Sequence, residues 1–77
     1  MSHPSINVIV HLSGDIGPAA PTGIARAIAA QPGVSRAEPS PKAKRLILVD
    51  YDPDSISAQR ILRSVHDRGV AAQLVGL

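Results

Sequence analysis

The chain has 77 residues, 44% of them hydrophobic and 18% charged, with eight Lys and Arg against six Asp and Glu for a net charge of +2. This length permits one domain, the composition is globular rather than disordered, and the charge excess is too mild to be a nucleic-acid signature. The absence of cysteine excludes disulfides and thiolate sites, and Tyr51 as the one aromatic leaves a core of Ile, Leu, Val and Ala.

Residues 1–5 (Met-Ser-His-Pro-Ser) lack the basic-then-apolar layout of a signal peptide. They are expected to form a flexible tail on a single domain spanning 1–77, and a soluble cytoplasmic protein is the simplest reading. No apolar run approaches the ~18 residues of a membrane span, so no membrane insertion is expected.

From 6 to 12 the sequence alternates, with Ile6, Val8, Val10 and Leu12 on one side and Asn7, Ile9 and His11 on the other. Period two with β-branched residues predicts a strand. Residues 13–20 contain two Gly and one Pro and read as a loop. Pro21 suits the first turn of a helix, whose stripe is Ile24, Ala27, Ile28 and Gln31 and which Pro32-Gly33 ends. Residues 34–38 form a modest strand, and 39–44, with two prolines, read as a turn unable to continue a ladder.

Residues 45–51 make the strongest strand, broken by Asp52-Pro53-Asp54. Ser55 or Ser57 can cap a second helix with the stripe Ala58, Ile61, Leu62 and Val65, and Gly69 suits the position past its end. Residues 70–75 supply the last strand. The order βαββαβ predicts an α+β, ferredoxin-like sandwich: a four-stranded antiparallel sheet with two helices on one face. Many functions use that architecture, so it does not decide one.

Several pieces in register resemble the heavy-metal-associated domain. They are Leu12-Ser13-Gly14, Ile24 with Ala27-Ile28, Gln31-Pro32-Gly33-Val34, Val49-Asp50-Tyr51-Asp52-Pro53, Ile61 to Val65, and Gly69-Val70-Ala71-Ala72. The resemblance covers nearly the whole chain, with about one extra residue in the hairpin around 39–45. It implies a metallochaperone-like fold and a metal loop after Gly14 reading Met-x-Cys-x-x-Cys. Asp15 stands at the Met position, and Gly17 and Ala20 stand where the two cysteines would be. Paired soft thiolates give such a loop its affinity for Cu(I), so a Cu(I)-thiolate site is excluded.

Nitrogen and oxygen ligands remain for Cu(II), Ni(II) or Zn(II): His3, His11, Asp15 and His66. His3 stands third, where the amino group, two amide nitrogens and imidazole could square a Cu(II) or Ni(II) ion. His66 and Asp15 are expected at one end of the domain, beside the cations Lys42, Lys44, Arg45 and Arg68, which would oppose a metal ion. The competing reading of His66 is a surface cation at a helix end.

No nucleophile-base order or phosphate fingerprint points to an enzyme. Single-stranded nucleic acid would want aromatic platforms, whereas the parity of Tyr51 with Ile47 and Val49 sends it to the core. That parity also turns Leu46 and Leu48 outward beside Ile9 and His11, an interface candidate on the open sheet face. The sequence thus predicts a non-enzymatic binding module without a resident cofactor, acting on a protein partner or as a homo-oligomer. The alternative is a metal-trafficking protein using His and Asp ligands.

Overall fold

The computed structural model describes residues 5–14 and 16–75. Along the chain run β1 (Ile6–Leu12), α1 (Ala20–Ala29), β2 (Val34–Pro39), β3 (Leu46–Tyr51), α2 (Ala58–His66) and β4 (Ala72–Val75). The four strands form one antiparallel sheet in the order β2-β3-β1-β4. This is the βαββαβ sandwich that the hydrophobic pattern predicts.

The strand pattern sorts side chains by face. Val8, Val10 and Leu12 of β1 and Ile47, Val49 and Tyr51 of β3 are buried against Ile24, Ala25 and Ile28 of α1 and Ile61 and Val65 of α2. Apart from Tyr51, this layer is aliphatic, at about 1.5–3 kcal/mol for each large side chain removed from water. Two core members escape the stripes read from the sequence: Ala25, and Ile56 in the β3–α2 connection. Ala27, expected in the stripe, is half-buried, and Ile6 at the start of β1 is 41% exposed.

Local chemistry sets the element ends. Pro21 lies in the first turn of α1, and Ser57 caps α2 by accepting the N–H of Arg60 at 3.1 Å. The alternative cap, Ser55, instead donates its hydroxyl to Asp52 Oδ2 at 3.0 Å, while Asp52 Oδ1 accepts the N–H of Asp54. Gln31 falls beyond α1 and bridges the helices by donating to Ser64 Oγ at 2.8 Å.

The second strand runs one residue further than expected, to Pro39, which pairs with Ile47. An edge strand tolerates this, because its outer side needs no N–H donor. The last strand is shorter than expected, starting at Ala72.

The turn from α1 into β2 depends on Gly33. Its φ is +94°, and a Cβ there would meet Ser55 Cβ at 2.7 Å and Ile56 Cγ2 at 3.0 Å. Its carbonyl meanwhile accepts the N–H of Asp52 at 2.7 Å. Gly33→Ala combines a left-handed backbone with a clash against main-chain-anchored atoms, and we expect it to lower stability by about 2–3 kcal/mol. Urea unfolding followed by circular dichroism measures this; an unchanged midpoint would contradict it.

Candidate functional site

Two regions hold the described residues among those singled out from the sequence: the end of the sheet around the first loop, and the sheet face away from the helices.

At the first-loop end, the loop is tied down on both sides. Leu12 N–H donates to Arg45 O at 2.8 Å, and Ser13 N–H donates to Ala71 O at 2.9 Å. These bonds bring the β2–β3 turn and the α2–β4 connection beside the loop, as the topology predicts. The guanidinium of Arg45 adds a clamp, donating to Gly14 O at 2.7 Å and to Leu12 O at 3.4 Å. Arg45 is exposed like Lys42, Lys44 and Arg68, but differs from them in that its charge is turned onto the loop's carbonyls.

The metal candidates separate. His66 does not reach into the first loop: its Nε2 lies 2.9 Å from Ala72 O. A carbonyl only accepts, so that ring nitrogen carries the proton and is no ligand in this state. His11 is half-buried on the open face of β1, opposite Leu46 of β3 and Gln73 of β4. His3 and Asp15 lie outside the described residues. Among the described residues, no three His, Cys, Asp or Glu side chains gather where one metal ion could be held.

At the two positions where the family resemblance would place cysteines, Gly17 is exposed and Ala20, the first residue of α1, is half-buried. A Cβ at Gly17 would meet nothing within 4 Å, and its φ is outside the left-handed region. The loop thus has room for thiols that the sequence does not supply. We expect the G17C/A20C double variant to bind Cu(I) in competition with a chromophoric chelator and the parent chain to leave the chelator's colour unchanged. Failure of the double variant to compete would mean that the loop has lost the geometry as well as the ligands.

The open face is laid out in rows by the strand register. Glu38, Leu48, Ile9 and Val75 stand side by side across the four strands, and Leu46, His11 and Gln73 form the next row. Leu48 is 36% and Val75 37% exposed, and Ile9 and Leu46 are half-buried. The last row is polar: Arg36, Asp50 and Asn7. Arg36 pairs with Glu38 on β2, and this hydrogen bond, with the charge of Glu38, raises the guanidinium pKa above its usual value. Asn7, Val8, Ile9, Arg36, Glu38, Leu48 and Asp50 line a shallow depression of about 240 Å³ on this face. A broader polar groove beside α2, lined by Gln31, Arg60, Arg63 and Ser64 among others, was not legible from the sequence, because it depends on how the two helices sit together.

No family model and no curated protein matches the chain. Solved structures do. Oxidized MerP from Ralstonia metallidurans CH34 superposes with a TM-score of 0.83 at 22% identity, covering 95% of this chain and 100% of that one. A copper form of a CopA variant from Bacillus subtilis gives 0.79 at 21%, covering 100% of both chains. A copper-binding domain from HMA7, a P-type ATPase, gives 0.78 at 20%, covering 91% of this chain and 93% of that one. At such identities the likeness is one of fold. The chain has the ferredoxin-like fold of these metal-binding domains, as its sequence resemblance to the heavy-metal-associated domain implies, and it has no cysteine.

Proposed function

We propose that the protein is a non-catalytic binding module that works through protein contacts on its open sheet face rather than by carrying a soft metal ion. The observation that carries this reading is the uncovered apolar row Leu48–Ile9–Val75, with Leu46 beside it, on a sheet whose other face is covered by two helices. A contiguous apolar patch on so small a domain marks a contact surface. The partner is another protein or a second copy of the chain. Nucleic acid is not favoured, because Tyr51 is only 5% exposed and offers no stacking platform. The compartment we propose is the cytoplasm, since a chain without cysteine draws nothing from an oxidising one.

Size decides what sort of contact this can be. Four strands about 4.8 Å apart and three outward rows cover roughly 400 Å². A partner in a standard interface contributes about 800 Å², so the face by itself suits a transient contact. Lys42, Lys44 and Arg68 at the adjacent end would steer an acidic partner toward it and raise the rate of encounter. Placing a charge in the middle of the row, Leu48→Asp, should weaken partner binding or self-association at least tenfold while leaving the fold intact. Sedimentation velocity and affinity capture on both proteins, with circular dichroism as the control, are the check. Equal behaviour of the two would remove the face from the function.

The shared fold favours a second reading, metal trafficking through nitrogen and oxygen ligands. Its ligands would be His3, His11, Asp15 or His66, and its metals Cu(II), Ni(II) or Zn(II); no resident cofactor is proposed. Under the leading reading, micromolar metal leaves the imidazole NMR signals of all three histidines unmoved. A saturable shift of His11 or His66 at one equivalent would put the trafficking reading first.

A further inference from the structure

The two edges of the sheet are built differently. The outer edge of β2 is guarded in the usual ways against an added strand: it carries the Arg36–Glu38 pair, a bulge between Val34 and Arg36, and Pro39 at its end. The other edge, β4, reads Ala72-Gln73-Leu74-Val75, with no charge, no proline and no bulge. An unguarded edge strand is a template for pairing, so its protection has to come from elsewhere.

The register shows which groups are on offer. Ser13 N–H donates to Ala71 O, and β1 and β4 pair through Leu12↔Ala72, His11↔Gln73, Val10↔Leu74 and Ile9↔Val75. Hydrogen-bonding direction alternates along an antiparallel pair, so Ala71, Gln73 and Val75 face β1. Ala72 and Leu74 therefore turn their N–H and C=O groups to the open edge. Among the described residues, the one side chain that hydrogen-bonds to this edge is His66, from the last turn of α2, whose Nε2–H donates to Ala72 O at 2.9 Å.

We infer that His66 is a latch that closes the β4 edge against strand addition. Without it, the edge pairs antiparallel with β4 of a second copy. The free groups are self-complementary: Ala72 of each copy faces Leu74 of the other, giving four main-chain hydrogen bonds around a two-fold axis at Gln73. Each such pairing needs the Ala72 carbonyl that His66 holds. Both the Nε2–H tautomer and the imidazolium donate from that atom, so either form can hold the carbonyl. The inference goes beyond the sheet-face reading and does not depend on it.

Sedimentation equilibrium at 20 µM to 1 mM protein tests the latch, on samples shown to be folded by circular dichroism. The parent chain is expected to show no β4-mediated dimer. His66→Ala should form a dimer with a dissociation constant of about 0.1–1 mM, the range suited to a contact of four residues a side. His66→Gln, whose amide can still donate, should restore the parent behaviour. Adding Ala72→Pro to His66→Ala removes an outward N–H that the monomer does not use and should abolish the dimer. Adding Leu48→Asp instead should leave it, which separates edge pairing from any association through the open face. A folded His66→Ala protein that stays monomeric at 1 mM overturns the inference, as does a dimer that survives Ala72→Pro or is lost with Leu48→Asp.

Discussion

Six consecutive antiparallel pairs between β1 and β3, from Ile6↔Tyr51 to His11↔Leu46, set the terms for the rest of the molecule. Side chains on a strand alternate with period two, so this one register decides which residues the helices cover. It sends Val8, Val10, Leu12, Ile47, Val49 and Tyr51 inward and leaves Ile9, His11, Leu46 and Leu48 on the open side. A slip of one residue between them would turn one strand's set over and place either His11 or Asp50 under the helices. The core therefore selects the register, and the register creates the exposed apolar row as a by-product of its own parity.

That dependence explains what was legible in the sequence. The alternation of residues 6–12, the β-branched run at 46–49 and the two helix stripes each reflect burial, and burial is what the hydrophobic pattern records. The open face followed from the same parity, without further information. The errors fall where a main-chain or edge effect outweighs residue type. Pro39 was expected in a turn and instead ends a strand, because β2 lies at the edge, and edge position is a property of the sheet order. Ile56 was missed because a single apolar residue in a connection has no period.

The first-loop end was legible in its topology and not in its bonding. Charge and proximity grouped Arg45 with Lys42, Lys44 and Arg68 as a basic end, yet its guanidinium is turned onto Gly14 O and Leu12 O. Likewise, sequence position suits His66 to a surface cation or a ligand, yet it donates to Ala72 O. Both side chains satisfy main-chain carbonyls that the sheet leaves over where its strands end, a need set by three-dimensional register and invisible to a linear pattern. Among the described residues these side-chain bonds and the Ser13 hydroxyl on Ala71 O secure the same end of the fold.

This bonding bears on the relation between fold and function. In a domain whose first loop closes thiolates on a metal ion, the ion itself can organise the loop. Here the loop is organised by neutral and cationic N–H donors, with Arg45 supplying a fixed positive charge at Gly14 O. A guanidinium held there repels an arriving cation, whereas the open face offers apolar area and no net obstacle beyond the Arg36–Glu38 pair. Both regions meet at β1: its last residues anchor the first loop, which carries no thiol at Gly17 or Ala20, and its middle residue, Ile9, lies at the centre of the exposed apolar row.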